Sequence, residues 1–230
     1  MFHFLLPRLF LRLGFTYAPL RAFRNVTAAF ILLISPAFAE TTLLALGDSL
    51  TAGYGLPTEQ GFVPQLQAWL EAKGADVKII NAGVSGDTTA GGLSRTDWSL
   101  SPDVDAVIVN LGGNDMLRGI DPASSRANLD AILAKVQARG VPILLVSLRA
   151  PGNYGEAFKT SFDAMYPELA AKYGAVLADN YFFAVINQQT RLLDPAYMQA
   201  DGIHPNAKGV AKILEALGPK VQELLARVAS

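Results

Sequence analysis

The stretch TTLLALGDSL, residues 41–50, begins with six uncharged residues and then breaks at a glycine, an aspartate and a serine. A short apolar run that stops at turn-forming residues predicts a buried β-strand leading into a loop. The same pattern recurs in VKII (77–80), AVIVNL (106–111), PILLVSL (142–148) and, more weakly, AVLA (175–178). The sequence therefore predicts five short strands.

Between these runs, apolar residues recur at helical spacing. The spacing and the flanking glycine, proline and aspartate residues predict helices over 62–73, 122–139, 156–173 and 206–227. Strands without polar alternation are buried on both faces, which is typical of a parallel sheet covered by helices. We expect an α/β fold: a three-layer α/β/α sandwich with a mostly parallel five-stranded sheet, forming one domain over residues 40–230.

The composition suits a folded domain and excludes several chemistries. Of 230 residues, 51% are hydrophobic and 17% charged, and none is cysteine. Disulfides, thiolate catalysis and zinc–thiolate sites are therefore excluded. The only histidines are His3 and His204, so any metal would have to rely on carboxylates.

The first 39 residues differ from the rest. They hold four arginines and no acidic residue, and end in the apolar run AAFILLISPAFA (28–39). A basic region, an apolar stretch and small residues two apart predict a signal peptide over residues 1–39, cleaved after Ala39, and export to the periplasm or medium. A retained membrane anchor is the alternative; after cleavage no stable membrane span is expected. Loss of four positive charges takes the net charge from −1 to −5, which argues against a nucleic-acid partner.

The loops after the first three predicted strands carry Ser49, Gly86 and Asn114 respectively. Ligands of open parallel sheets bind beyond the carboxyl ends of the strands, so these loops are expected to converge on one edge. Each residue also has an ordinary interpretation, as a helix-capping serine, a turn glycine and a loop asparagine. Taken together, they could supply a nucleophile and oxyanion donors for acyl transfer.

The segment DGIHPN (201–206) contains an aspartate three residues before a histidine, ahead of the last predicted helix. Such a carboxylate can fix the imidazole tautomer, leaving the other ring nitrogen to accept a proton from a serine. The alternative is a capping aspartate beside a surface histidine. The serine does not lie in a GxSxG nucleophile elbow, which disfavours the α/β-hydrolase fold proper.

Four blocks carry a family resemblance: GDSL (47–50), SGDT (85–88), GGND (112–115) and DGIHPN. In this order and spacing they resemble the SGNH, or GDSL, hydrolases, over a region running from about residue 41 to the C-terminus. The resemblance implies the flavodoxin-like SGNH hydrolase fold.

The resemblance also implies a Ser–His–Asp triad of Ser49, His204 and Asp201. Its oxyanion hole would comprise the N–H groups of Ser49 and Gly86 and the side-chain amide of Asn114. No cofactor and no metal would take part.

GDSLTAGYG (47–55) and MQADGIHPN (198–206) are most similar to the periplasmic thioesterase, lysophospholipase and arylesterase members of the family. The resemblance implies a small-molecule acyl ester, thioester or lysophospholipid substrate and a mobile loop at residues 115–120. Leu117, Tyr154 and Met198 are the candidate substrate-binding residues, although ordinary packing is the commoner role for any one such residue. The sequence leaves the oligomeric state open, with a monomer favoured.

Three other functions make different demands on the sequence. An O-acetyl carbohydrate esterase would use the same scaffold, and a non-catalytic binding module would be expected to lack one of the four blocks. A nucleotide-binding protein is disfavoured because the chain has no GxGxxG motif and no Gly-Lys pair.

Overall fold

The computed structural model of the protein describes residues 40–228. The predicted signal peptide lies outside the described residues. None of the helices within 40–228 is long and apolar enough to cross a membrane. The strands are β1 (Thr41–Gly47), β2 (Val77–Gly83), β3 (Ala106–Asn110), β4 (Ile143–Val146) and β5 (Val176–Ala178). The helices are α1 (Ser49–Ala52), α2 (Phe62–Glu71), α3 (Thr89–Ser99), α4 (Gly113–Leu117), α5 (Pro122–Ala138), α6 (Glu156–Tyr173) and α7 (Ala207–Ala226).

The five strands form one sheet in the order β2-β1-β3-β4-β5, and every neighbouring pair is parallel. In the register of this sheet, Gly47 is opposite both Gly83 and Asn110, so the first three strands end at the same level. The loops that follow them therefore share one edge, as the carboxyl-end rule predicts.

The described helices pack in two groups. Helix α5 contacts both α3 and α6, whereas α2 packs against α7. The central strands between them are mainly apolar, and the side chains of β3, including that of Asn110, are all buried. The predicted α/β sandwich is confirmed, and the sheet is parallel throughout rather than mostly parallel.

Helix α3 was not predicted from the sequence. Its sequence, TAGGLSRTDWS, contains two glycines and two threonines, which are poor helix formers. The helix is stabilised by its surroundings: Thr88 caps its first turn, with Oγ1 accepting from the Gly91 N–H at 3.2 Å. Thr89 and Thr96 are fully buried. Tertiary packing therefore overrides weak local propensity here.

Candidate active site

Ser49 lies at the junction of β1 and α1. Asp48 caps this short helix, because its Oδ1 accepts a hydrogen bond from the Leu50 N–H at 3.0 Å. The glycine before it, Gly47, leaves no room for a side chain: a Cβ there would lie 2.0 Å from Thr51 Oγ1. This tight turn presents Ser49 to the cavity at the carboxyl edge of the sheet.

Ser49 meets the far end of the chain at that edge. His204 Nε2 lies 2.8 Å from Ser49 Oγ, and His204 Nδ1 lies 2.7 Å from Asp201 Oδ2. The other carboxylate oxygen of Asp201 accepts from the N–H groups of Ile203 and His204, at 2.9 and 3.0 Å. A carboxylate, an imidazole and a hydroxyl thus form one hydrogen-bonded chain.

Electrostatics keep this carboxylate ionised. Desolvation acts to raise the pKa of Asp201, but the hydrogen bonds from His204 and from the Ile203 N–H outweigh it and lower the pKa to about 2. An ionised Asp201 at neutral pH favours the His204 tautomer that carries its proton on Nδ1.

Two residues that line the same cavity have backbone N–H groups that are unpaired among the described residues. Ser49 and Gly86 both line it, and within residues 40–228 neither N–H has a protein acceptor. Gly86 has a φ of +85°, a conformation that other residues rarely adopt. The Asn114 side-chain amide also lies at the cavity, where Nδ2 donates to the Asp87 carbonyl at 2.9 Å. The three residues predicted to supply oxyanion donors therefore all line the same cavity.

A buried acid lies beside these groups. Asp48 is 1% exposed, and burial raises its pKa to about 6. The Leu50 N–H, the charge of His204 and the Asn114 amide act in the opposite direction. The Asn114 contact is weak, since Nδ2 is 3.5 Å from Asp48 Oδ2.

Asp115 fixes the helix that carries Asn114. Its buried carboxylate accepts from the Thr89 N–H and hydroxyl, at 2.8 and 2.6 Å, and from the Ser125 hydroxyl at 2.9 Å. These bonds tie α4 to the starts of α3 and α5. The aspartate of the GGND block is therefore a structural anchor.

The cavity has a volume of about 360 Å³ and is lined mainly by apolar side chains. Its size and character suit the hydrocarbon part of an ester. No group of three or more potential metal-ligating side chains is present within residues 40–228. The apolar lining residues are Leu50, Tyr54, Met116, Leu117, Leu148, Phe182, Leu193 and Ile203.

The three candidate substrate-binding residues differ in their position relative to the cavity. Leu117 lines the cavity and is 51% exposed. Tyr154 lies beside it, where its hydroxyl donates to the Leu117 carbonyl at 3.1 Å. Met198 is 7% exposed and borders a separate hollow with Pro195 and Gln199. The structure therefore brings Leu117 into the cavity and Tyr154 against its backbone, but not Met198.

Several neighbours of the site were missed from the sequence. Tyr54 packs on His204, with ring centroids 4.6 Å apart and planes inclined at 39°. Arg118 donates to the Gly86 carbonyl at 2.9 Å. The only sequence signal for these residues was their closeness to the GDSL and GGND blocks.

The fold and the hydroxyl–imidazole–carboxylate contact together have the form of a serine hydrolase. The profile of the GDSL-like Lipase/Acylhydrolase family matches residues 45–212. Esterase TesA of Pseudomonas aeruginosa is 39% identical over 198 residues, covering 86% of this chain and 95% of the relative. Thioesterase 1/protease 1/lysophospholipase L1 of Escherichia coli K12 is 36% identical, covering 85% and 90% respectively.

A similar fold is found in the crystal structure of esterase EstA from Pseudoalteromonas sp., at 32% identity and a TM-score of 0.73. The alignment covers 81% of this chain and 99% of EstA. The chain therefore belongs to the GDSL-like lipase/acylhydrolase family, and it is a carboxylic ester hydrolase. The family resemblance drawn from the four sequence blocks is confirmed.

Proposed function

We propose that the chain is an exported serine esterase that hydrolyses acyl esters, thioesters and lysophospholipids through Ser49, His204 and Asp201. The observation that carries this proposal is the hydrogen-bonded chain from Asp201 Oδ2 through both ring nitrogens of His204 to Ser49 Oγ, at 2.7 and 2.8 Å. The names of the esterase and thioesterase relatives support the same reaction class.

In the acylation step, Ser49 Oγ attacks the acyl carbonyl carbon while His204 Nε2 takes the hydroxyl proton. Asp201 stabilises the imidazolium that results. The carbonyl oxygen becomes an oxyanion, for which we assign three donors: the N–H groups of Ser49 and Gly86 and the amide of Asn114. His204 then returns the proton to the leaving alcohol or thiol as the C–O or C–S bond breaks.

In the second step, water takes the place of the departed alcohol or thiol. His204 removes one proton from it, and the resulting nucleophile attacks the acyl carbon of the Ser49 ester. Collapse of the second tetrahedral intermediate breaks the bond to Ser49 Oγ, which regains its proton from His204. The products are the free acid and the original enzyme, so the cycle consumes only water and the ester.

The lining of the cavity favours a substrate with an apolar acyl group over an acetylated sugar. Its lining offers few polar partners beyond the catalytic groups themselves, whereas a carbohydrate needs many hydrogen bonds. We assign Leu117 to the acyl site and Tyr154 to the support of its backbone. Met198 remains a packing residue in this proposal because it borders another hollow.

The decisive test replaces the nucleophile. Ser49→Ala should abolish hydrolysis of p-nitrophenyl octanoate while leaving the thermal unfolding transition in place. Ser161→Ala, an exposed serine on α6, is the matched control and should keep full activity. Undiminished turnover by Ser49→Ala would eliminate the proposed mechanism.

Two further measurements resolve the substrate and the export. A series of p-nitrophenyl esters from acetyl to dodecanoyl should show kcat/KM rising with chain length, and a maximum at acetyl would favour the carbohydrate esterase. The mass of protein recovered from the periplasm or medium should correspond to a chain starting at Glu40. Recovery of the full chain in the membrane would instead indicate a retained anchor.

A further inference from the structure

We propose that the ion pair between Asp87 and Arg95 is a positioning device that holds the donors of the oxyanion hole in place. The inference rests on the proposed function, because it takes Gly86 and Asn114 as the donors. Neither member of the pair lines the cavity, so neither touches the substrate. Both are assigned to the geometry of the groups that do.

Arg95 lies on α3, and all three nitrogens of its guanidinium donate hydrogen bonds. Nε donates to Asp87 Oδ2 at 2.6 Å, Nη1 to the Ala82 carbonyl at 2.7 Å and Nη2 to the Gly47 carbonyl at 2.8 Å. These acceptors belong to the ends of β1 and β2 and to the loop that carries Gly86. One planar group therefore sets the distance between the nucleophile turn and the oxyanion loop.

Asp87 connects the Arg95 guanidinium to both assigned donors, the Gly86 N–H and the Asn114 amide. Gly86 directly precedes Asp87 in the chain, and the Asp87 carbonyl accepts from the Asn114 side-chain amide at 2.9 Å. The N–H of Asp87 closes the loop on the Val84 carbonyl at 3.1 Å. Its carboxylate is packed against α3, since a Cβ on Gly91 would lie 2.4 Å from Asp87 Oδ1. Movement of Asp87 would thus shift the Gly86 N–H and the Asn114 amide together.

The pair is not an ordinary surface ion pair. Both side chains are 18% exposed, whereas the Arg126–Glu168 pair between α5 and α6 is 41% and 57% exposed. Exposed pairs contribute little to stability, and many contribute nothing measurable. A largely buried guanidinium with three acceptors constrains the backbone much more strongly.

Position and charge predict different effects, so the two can be separated. Arg95→Met leaves an additional negative charge near the oxyanion, whereas Asp87→Asn leaves an additional positive one. If only charge mattered, the first would slow the reaction and the second would accelerate it. If the pair positions the donors, both variants lower kcat.

The experiment measures kcat and KM for p-nitrophenyl octanoate in wild type, Arg95→Met, Arg95→Lys and Asp87→Asn. We expect kcat to fall by about 10- to 100-fold in Arg95→Met and Asp87→Asn, less than the roughly 10²- to 10³-fold typical of deleting a donor. KM should stay within about twofold, because ground-state binding uses the apolar cavity. Arg95→Lys should recover part of kcat, and Arg126→Met should match wild type.

A double-mutant cycle shows whether the pair acts through the donors. Arg95→Met causes one fold-loss of kcat in the wild-type background and another in the Asn114→Ala background. The second should be smaller than the first by a factor of at least about three, since one donor is already gone. Unchanged kcat in folded Asp87→Asn and Arg95→Met, faster turnover in Asp87→Asn, or full additivity with Asn114→Ala would overturn the proposal. If Arg95→Met does not fold, the kcat of the near-isosteric Asp87→Asn variant is sufficient: a fall supports the proposal, and an unchanged or higher value overturns it.

The same assay distinguishes this proposal from the proposed function. Ser49→Ala is measured in parallel with wild type and the Asp87, Arg95 and Arg126 variants. If it loses activity while the Asp87 and Arg95 variants keep theirs, only the positioning role fails. If Ser49→Ala remains active, the assignment of Ser49 as the nucleophile is wrong, and with it the proposed function.

Discussion

The phenol ring of Tyr54 lies against the imidazole of His204, with the ring centroids 4.6 Å apart. Tyr54 also lines the cavity and is 53% exposed. An aromatic face attracts a cation, so this contact becomes more favourable when His204 is protonated during the reaction. The ring also limits the directions in which the imidazole can turn.

Removing this ring should slow the reaction without stopping it. Tyr54→Ala should lower kcat/KM by about 2- to 10-fold, because aromatic contacts of this kind contribute roughly 0.5–1.5 kcal/mol. Tyr54→Phe keeps the ring and should stay within about twofold of wild type. The loss should be similar for p-nitrophenyl acetate and octanoate. A loss confined to octanoate would mean that Tyr54 serves only the acyl cavity.

The Asn114 amide is expected to act in the transition state. Asn114→Ala should lower kcat by about 10²- to 10³-fold with little change in KM, as is typical of a lost oxyanion donor. Asn114→Asp keeps the size but replaces a donor with a negative charge, so its loss should be at least as large. Steady-state kinetics on purified protein check both values, and a purely KM-based effect in either variant would contradict the assignment.

The buried acid Asp48 should make stability depend on pH. Because burial raises its pKa from 3.8 to about 6, the folded state binds a proton more tightly than the unfolded state. The contribution of this group to stability is thus full below pH 4 and is lost as pH rises through 6. The difference corresponds to roughly 3 kcal/mol, at about 1.36 kcal/mol per pH unit.

Asp48→Asn keeps the helix cap through its side-chain oxygen and removes this charge. Compared with wild type, its free energy of unfolding should be higher at pH 8 by up to about 3 kcal/mol, and the advantage should disappear near pH 4. Urea denaturation at both pH values measures the difference. Asp121→Asn, an exposed cap, serves as the control and should show no comparable gain. An advantage that grows on acidification would contradict the sign.

Gly112, which precedes α4, should tolerate no side chain. Its φ is +116°, and a Cβ would lie 2.3 Å from the hydroxyl of Tyr166, which is buried. Gly112→Ala combines strain of about 1–2 kcal/mol with overpacking of about 1–3 kcal/mol. Gly140 also has a positive φ, +71°, but nothing lies within 4 Å of its would-be Cβ.

Gly140→Ala therefore carries the strain alone and is the matched control. We expect Gly112→Ala to lower the free energy of unfolding by about 2–5 kcal/mol, and Gly140→Ala by about 1–2 kcal/mol. Equal urea midpoints for the two variants would show that the Tyr166 contact relaxes without cost.

Much of the fold follows from local patterns. Strand β3 and helix α6 are both apparent in the sequence, because long apolar runs and helical spacing depend on neighbouring residues alone. Helix α3 is not apparent, because its glycines and threonines are poor helix formers and the Asp115 carboxylate that accepts from its first turn lies 26 residues further along the chain. Local propensity cannot report bonds made by residues far along the chain.

The same division holds for the candidate substrate residues. The sequence predicts Leu117, Tyr154 and Met198 alike as substrate-binding residues, yet of the three only Leu117 lines the cavity. A methionine beside a catalytic block can point to either side of a turn, and the sequence does not distinguish the two directions. In this chain Met198 is turned away from the cavity and buried.

The sequence by itself determined the sheet, the edge at which its loops meet and the residue types available there, because strand pattern and the carboxyl-end rule depend on chain order. Only the tertiary structure decided that Tyr54 packs on His204 and that Arg95 joins Asp87 to two strand ends. Those contacts depend on distances of a few ångströms between side chains and backbone groups distant in sequence. Such distances are set by the packing of the whole domain.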